Sequence, residues 1–164
     1  MLELQRLRSD HAAAVLAFEL ANRAYFAVSI TDRGDEFYEQ FPERHRALLA
    51  QQDAGVCVFH VLIDADGSIV GRFNLYDLVD GTARVGYRVA EQVTGRGVAT
   101  STLRKLCRLA AEQYRLRTLR AETSNENVAS QRVLEKAGFT SVGPTEVGGQ
   151  PGSLYECPLD PCES

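Results

Sequence analysis

The sequence predicts a single mixed α/β domain, and three observations lead to that prediction. The first is the order of periodic patterns along the chain, which is strand, two helices, three strands, helix, strand, helix and two strands. The second is the length, because 164 residues suit one domain with a sizeable buried core. The third is continuity, since neither an internal repeat nor a long linker interrupts the chain. We therefore expect residues 1–164 to form one domain.

The chain begins with an edge-strand pattern followed by a helix. Leu2, Leu4 and Leu7 predict the strand, and Ser9 or Asp10 is a suitable N-cap for a helix that runs to about residue 22. Four residues at helical spacing predict the buried face of that helix: Ala13, Leu16, Ala17 and Leu20.

A second helical stretch covers residues 35–51. Phe37, Phe41 and Leu48 indicate one buried side. Pro42 lacks an amide hydrogen and clashes with the preceding turn, so we expect it to break or kink this stretch near its middle.

Three strands follow as an antiparallel meander. Residues 56–63 form a strongly apolar run, 64–67 carry turn residues, and 68–78 predict the return strand of a hairpin. A second turn lies at residues 80–81, and residues 82–90 then alternate apolar with polar or small side chains. The meander leads directly into a glycine-containing loop.

That loop, Gln-Val-Thr-Gly-Arg-Gly-Val-Ala at residues 92–99, joins a strand to an amphipathic helix. Gly95 and Gly97 allow a tight turn and a close approach of the backbone to a ligand. The unpaired amides of the helix's first turn, with the positive end of the helix dipole, favour an anion such as phosphate. The apolar face of the helix carries Ala99, Leu103, Leu106, Cys107, Ala110 and Tyr114.

Two common phosphate-binding motifs do not fit the loop. A nucleotide-triphosphate P-loop ends in Gly-Lys-Ser or Gly-Lys-Thr, whereas this chain has Gly97, Val98 and Ala99. A dinucleotide-binding fingerprint needs a third small residue where Thr100 stands, and a carboxylate at the end of a second strand, whereas Glu112 lies within the helix.

The chain downstream continues with a strand, a helix and a hairpin. Residues 118–123 predict the strand, and residues 126–137 predict a helix that Gly138 ends. A glycine-rich hairpin is expected over residues 139–159.

Two ordered motifs resemble the signatures of the GNAT family of N-acetyltransferases. The first is Gln92-x-x-Gly95-x-Gly97, which is similar to the Gln/Arg-x-x-Gly-x-Gly/Ala signature of that family. The second runs from Asn127 through Ser130 and ends in Gly-Phe at residues 138–139. The second motif is most similar to the branch of ribosomal-protein N-terminal alanine acetyltransferases. The resemblance covers roughly residues 69–139.

The resemblance implies a mixed, mostly antiparallel sheet of six to seven strands flanked by four helices. It also implies a splay between the strands that end near Val89 and Thr123, with the acetyl-pantetheine arm of acetyl-CoA in the slot. Main-chain groups of Val89 would pair with pantetheine and polarise the thioester carbonyl. The implied binding residues around the pyrophosphate are Gln92, Gly95, Arg96, Gly97, Val98, Ala99 and Thr100.

The same resemblance assigns catalytic and binding roles beyond the loop. Asn127 would hydrogen-bond the pantetheine arm, and Ser130 would donate a hydrogen bond or proton to the departing sulfur. Many relatives carry a tyrosine where this chain has Leu134, so that variant of the mechanism is excluded. The implied reaction is direct attack of a primary amine on acetyl-CoA, without a covalent enzyme intermediate.

The general base is not settled by the motifs. Related enzymes often carry glutamate in the segment that matches residues 83–87, but this chain has Arg84 there. Glu122 is our catalytic candidate, with Asp77, Glu146, solvent or a different kind of acceptor as alternatives. Tyr76 and Tyr87 are candidates for the acceptor cleft, with core packing as the alternative.

The charge distribution bears on the partners. Residues 84–136 hold eleven Lys and Arg against five Asp and Glu, while the rest of the chain holds seven against seventeen. The basic segment coincides with the expected phosphate site, and the acidic remainder suits an amine-bearing acceptor. A chain with net charge −4 does not suggest nucleic acid as a partner.

These features predict an acetyl-CoA-dependent N-acetyltransferase whose acceptor is a primary amine, such as a protein N-terminal alanine or serine. Two alternatives are acetylation of a small amine (a polyamine, antibiotic or amino acid) and a non-catalytic sensor module that binds coenzyme A. Whether the enzyme is a homodimer is left open.

The absence of membrane-spanning and secretory patterns bears on where the protein is located. It has no run of 18 apolar residues and no apolar signal-peptide core, so we expect no membrane association and a cytoplasmic location. The cysteines are expected to be reduced thiols. We expect no metal, because these residues show no ligand spacing: Cys57, Cys107, Cys157, Cys162, His11, His45 and His60.

Overall fold

The computed structural model describes residues 2–28 and 32–159, which form seven strands, six α-helices and two short 3₁₀ turns. The strands are β1 Glu3–Arg6, β2 Val58–Ile63, β3 Ile69–Val79, β4 Thr82–Val89, β5 Thr118–Ser124, β6 Thr140–Val147 and β7 Gln150–Pro158. The helices are α1 Ala12–Ala21, α2 Arg23–Ala27, α3 Asp35–Glu39, α4 Phe41–Asp53, α5 Val98–Glu112 and α6 Val128–Lys136. The 3₁₀ turns are Ser9–His11 and Glu91–Val93.

The strands are hydrogen-bonded in the order β1-β2-β3-β4-β5-β7-β6. β4 and β5 run parallel, whereas β1 with β2, β5 with β7, and β6 with β7 are antiparallel. The predicted mixed, mostly antiparallel sheet of six to seven strands is thereby confirmed.

The described residues divide into two compact units. Of these residues, the first unit contains 2–28, 32–74 and 87–94, and the second contains 75–86 and 95–159. β3 and β4 each contribute residues to both units. The expectation of one domain over residues 1–164 stays a prediction.

In the first unit, a buried glutamine joins the first two strands. Gln52 of α4 donates from Nε2 to the Leu7 carbonyl at 3.0 Å and accepts from the Phe59 amide at 2.9 Å. The buried apolar residues of this unit include Val15, Phe18, Phe59, Val61, Leu62 and Phe73. Their burial supplies the main stabilisation of this unit.

The predicted buried face of α1 was wrong. Ala13, Ala17 and Leu20 are exposed and Leu16 is half-buried, whereas Val15, Phe18 and Glu19 are buried. The helix is alanine-rich and nearly uniformly apolar, so its pattern gives little direction. The buried face contains its one charged residue, which pattern analysis places outside.

The expected four helices became six, because an unpredicted helix, α2, follows the end of the first helix, and the second helical stretch is divided into α3 and α4. At the first boundary, between α1 and α2, Asn22 donates from Nδ2 to the Phe18 carbonyl at 2.9 Å and accepts from the Glu91 amide at 3.0 Å. Such side-chain bonds compete with continued helix. At the second, Pro42 lies in the first turn of α4, close to the predicted break. Neither Ser9 nor Asp10 caps α1.

In the second unit, α5 shows the predicted amphipathic pattern, and β5 lies where a strand was predicted. Thr102, Leu103, Leu106 and Ala110 are the buried face of α5. Along β5, Leu119, Ala121 and Thr123 are buried and the intervening Arg120 and Glu122 are exposed. Gly138, with φ 104°, follows the end of α6 as expected.

The parallel ladder between β4 and β5 is short. It comprises three pairs, from Thr82 with Thr118 to Arg84 with Arg120. Each strand continues past the last pair, β4 to Val89 and β5 to Ser124. Ladder pairing therefore ends before either strand does, while the splay between the two strands stays a prediction.

No helix within the described ranges is long and apolar enough to cross a bilayer. Cys57, Cys107 and Cys157 are free thiols, while Cys162 lies outside the described residues.

Candidate functional site

The loop before α5 has the backbone geometry that its two glycines predict. Gly95 has φ 78° and Gly97 has φ 72°, both in the left-handed region that disfavours residues with a Cβ atom. A Cβ atom at either position would meet nothing within 4 Å. Glycine is therefore favoured by the backbone conformation, and the space beside the loop is open on the side of each missing Cβ.

The first turn of α5 presents unpaired amides. Gly97 is the N-cap, and no side chain caps the helix. The Ser101 amide donates to the Gly97 carbonyl at 3.0 Å, whereas no acceptor among the described residues takes the amides of Val98, Ala99 and Thr100. Three such donors, with the positive end of the helix dipole, favour a bound anion, and the loop stays our predicted position for the pyrophosphate.

Arg96 places a positive charge within the same loop. Its side chain is exposed and has no partner in the part of the chain that the structure describes. Just before the loop, Thr94 Oγ1 donates to the Glu91 carbonyl at 2.7 Å and closes the preceding turn. The guanidinium is thus available to a bound anion.

Asn127 is the N-cap of α6. Its Oδ1 accepts from the Ser130 amide at 3.1 Å. The Nδ2 group has no acceptor among the described residues, so the same side chain can donate to a ligand. Ser130 is half-buried in the first turn of α6. The two residues of the second motif are therefore joined directly.

Gln131 connects the start of α6 to the end of β5. Its Nε2 donates to the Ser124 carbonyl at 3.1 Å and to the Asn125 carbonyl at 2.9 Å. These bonds fix the position of Asn127 relative to β5, where Glu122 lies. Sequence analysis did not single out Gln131, although it follows Ser130 directly.

The three candidate bases are all exposed carboxylates. Glu122 lies on β5 opposite Leu154 of β7, and Glu146 lies on β6. Asp77 has φ 54°, an uncommon conformation for a residue other than glycine. Its Oδ2 is 3.6 Å from Arg84 Nη2.

Arg84, which replaces the glutamate of related enzymes, has two contacts in the second unit. It pairs with Asp77 and lies over the ring of Tyr76, with 4.8 Å from Cζ to the ring centroid. Tyr76 in turn packs over Gly86, where a Cβ atom would come within 2.9 Å of the ring. A carboxylate therefore lies next to the position where the family pattern has one, although it comes from β3.

The remaining candidates belong to the first unit. Val89 is half-buried at the end of β4, and Gln92 is exposed in the following 3₁₀ turn. Tyr87 is stacked on Phe73 with ring centroids 5.6 Å apart and 6° between planes.

The first unit also contains a charged cluster that sequence analysis missed. Glu19 is fully buried; its Oε2 is 3.0 Å from Arg72 Nη1, and its Oε1 is 3.0 Å from Arg88 Nη1. Arg33 Nη1 lies 3.9 Å from the same Oε1. The one available signal was a lone glutamate within an apolar helix.

No group of three His, Cys, Asp or Glu residues within 2–28 and 32–159 could hold a metal ion. His11, His45 and His60 instead bond to nearby backbone or amide groups.

A profile of the Acetyltransferase (GNAT) domain matches residues 1–140, and the chain belongs to that family. The predicted class, an N-acetyltransferase with acetyl-CoA as donor, is confirmed at the level of the family.

Individual proteins agree with this assignment. Over 134 residues the chain is 28% identical to the Bacillus subtilis (strain 168) protein named "Probable N-acetyltransferase YjcK", covering 78% of this chain and 74% of that protein. The fold matches a ribosomal-protein-S5-alanine acetyltransferase from Vibrio fischeri with a TM-score of 0.90, covering 99% and 96% of the two chains at 17% identity. It also matches Mycobacterium smegmatis RimJ, solved in complex with CoA-disulfide, with a TM-score of 0.84, covering 96% and 81% at 24% identity.

Proposed function

We propose that this enzyme transfers the acetyl group of acetyl-CoA to the N-terminal amine of a protein that begins with alanine or serine. The observation that carries the donor assignment is the set of unpaired amides at the start of α5, preceded by two left-handed glycines. The names of the compared ribosomal-protein acetyltransferases support the choice of acceptor.

In this proposal the pyrophosphate binds at the loop. The amides of residues 95–100 donate to its oxygens, Arg96 adds a mobile positive charge, and Gln92 contributes a side-chain hydrogen bond. The open space beside both glycines leaves room for the oxygens to approach the backbone.

The pantetheine arm would pair with main-chain groups of Val89, beyond the end of the β4–β5 ladder. The Asn127 Nδ2 group would donate to an amide carbonyl of the arm, since its Oδ1 is occupied by the Ser130 amide. The Val89 amide would polarise the thioester carbonyl.

The chemical step is direct attack by a neutral amine. The nitrogen forms a bond to the thioester carbon, the carbon–sulfur bond breaks, and its electron pair remains on sulfur. Ser130 donates a hydrogen bond or proton to that sulfur, and Glu122 or water takes the proton released by the amine. Asp77 and Glu146 are the alternative bases.

A module that binds coenzyme A without catalysis is the second candidate function. Arg84 favours it, because the family position for a carboxylate carries a cation instead. A cytoplasmic location and a homodimeric state stay predictions.

Two measurements on the wild-type protein test the proposal. Acetyl-CoA should raise the melting temperature, because a ligand that binds only the folded state stabilises it. With acetyl-CoA present, peptides that begin with alanine or serine should release free thiol, while N-acetylated versions of the same peptides should not. Absence of a thermal shift would overturn the donor site. Stabilisation without acceptor-dependent thiol release would favour the non-catalytic module.

A further inference from the structure

The cluster around Glu19 contains more positive than negative charge. Arg72 and Arg88 each donate from Nη1 to the single Glu19 carboxylate at 3.0 Å, and Arg33 adds a third guanidinium at 3.9 Å. The Glu19 carboxylate therefore faces at least two guanidiniums in direct contact.

This excess charge is largely withdrawn from water. Glu19 is fully enclosed, and the side chains of Arg72 and Arg88 are only 7% and 16% exposed. An uncompensated cation in such a place is costly, and an added anion relieves that cost. Binding of one more negatively charged group would therefore lower the electrostatic free energy of the cluster.

Arg72 and Arg88 have hydrogen-bond donors left for an added anion. Arg72 and Arg88 use one nitrogen each for Glu19, and their other nitrogens have no acceptor within the described chain. The Arg88 guanidinium lies over the Phe26 ring, with 4.6 Å from Cζ to the ring centroid, which restricts its orientation. A planar guanidinium held in this way matches a carboxylate.

Arg88 is also next to the residue assigned to the reacting end of the donor. It directly precedes Val89, whose main chain we proposed for the thioester carbonyl. A carboxylate bound by Arg88 would belong to a molecule that reaches this end of β4, and the acceptor amine must do so.

We infer that the Glu19–Arg72–Arg88 cluster binds a carboxylate of the acceptor, so that the substrate is a primary amine with a carboxylate near its amino group. This inference rests on the proposed acetyl transfer to a primary amine, but not on the choice of a protein N-terminus as the acceptor. The carboxylate belongs either to a free amino acid or to an acidic side chain near a peptide N-terminus. Polyamines and other polycationic amines are disfavoured, because they would bring further positive charge to the cluster.

Binding can be measured without turnover by saturating the protein with CoA, which carries no acetyl group. Calorimetric titrations would compare two matched pairs: alanine with alaninamide, and a Ser-Asp peptide amide with its Ser-Asn counterpart. We expect the acid to bind about tenfold more tightly than the amide in one pair, since a hydrogen-bonded charge pair contributes on that order. The pair that shows the preference identifies the source of the carboxylate.

Substitutions test whether the preference for the acid comes from this cluster. Arg88→Gln should abolish the preference for the acid while leaving binding of the amide similar. Arg46→Gln, which removes the same charge from an exposed position of α4, should preserve the preference. Glu19→Gln increases the local positive charge and should strengthen the preference in whatever fraction of the protein folds.

The wild-type titrations are decisive because they need no variant to fold. Equal affinity for acid and amide in both pairs would overturn the inference, as would tighter binding of spermidine than of either acid. The proposed function fails differently, by a lack of thiol release from acetyl-CoA with every acceptor, whatever the titrations show.

Discussion

The side-chain carbonyl of Asn127 accepts a hydrogen bond from the amide of Ser130 at 3.1 Å. The asparagine of the second motif is therefore the cap that starts the helix on which the serine lies. The Oδ1 atom caps the helix, and the Nδ2 group of the same side chain is left to donate a hydrogen bond to acetyl-CoA. Stability and cofactor binding can be separated at this residue.

Asn127→Asp should preserve stability and weaken acetyl-CoA binding, because aspartate caps a helix as well as asparagine does but has no amide to donate. Asn127→Ala should lose both, with about 1 kcal/mol less free energy of unfolding. Melting curves with and without acetyl-CoA measure the two effects. Equal acetyl-CoA affinity in the wild type and Asn127→Asp would remove this residue from the binding site.

Gly97→Ala should destabilise the protein by roughly 1–2 kcal/mol, because a residue with a Cβ atom is strained at φ 72°. It should also weaken acetyl-CoA binding if the loop relaxes away from this conformation. Gly143→Ala is the matched control, since its Cβ also meets nothing within 4 Å and its φ is not positive. Similar losses in the two variants would contradict the assigned strain.

Ser130→Ala should lower kcat by about 100-fold and leave acetyl-CoA affinity nearly unchanged, because proton donation to sulfur matters only as the thiolate departs. Ser141→Ala on β6 controls for loss of an exposed hydroxyl. Thiol release under saturating substrates gives kcat. A variant that keeps full turnover would exclude Ser130 from catalysis.

Glu122→Gln should lower kcat most at pH values below the pKa of the free amine, where removal of the amine's proton limits the reaction. Glu112→Gln, at the exposed end of α5, is the control. Activity as a function of pH distinguishes them. An unchanged pH profile in Glu122→Gln would direct attention to Asp77, Glu146 or water.

His60 should make stability depend on pH in the acid range. Burial lowers its pKa from 6.5 to about 4, although Nδ1 donates to the Phe73 carbonyl at 3.0 Å. Between pH 6.5 and pH 4, His60 is protonated in the unfolded chain but not in the folded chain. The free energy of unfolding is therefore highest above pH 6.5 and falls as the pH is lowered toward 4. The contribution is about 3 kcal/mol over that window.

His60→Gln removes this titration and keeps a donor for Phe73. The free energy of unfolding of the wild type should therefore fall more steeply than that of the variant between pH 6.5 and 4. Denaturant titrations at several pH values measure both slopes. Parallel slopes would show that His60 does not carry this dependence.

Local patterns predicted most of the β-rich half of the chain. The strands at 56–63, 68–78 and 82–90, and the helix that follows the glycine loop, were located within about two residues, because alternation and helical spacing are local properties. The α1 face was wrong, and α2 was not predicted. In both places tertiary contacts decide the outcome, through Glu19 with its arginines and through Asn22 with the Glu91 amide.

The sequence by itself determined the family, the order of the elements and the glycine loop, since these depend on residue types at short, regular spacing. Only the tertiary structure decided that Glu19 is buried against Arg72 and Arg88, that Asp77 stands beside Arg84, and that Asn127 caps α6 with one oxygen. Long-range contacts bring together residues up to 69 positions apart in the chain, and a periodic pattern contains no information about which distant charge will neutralise a buried one.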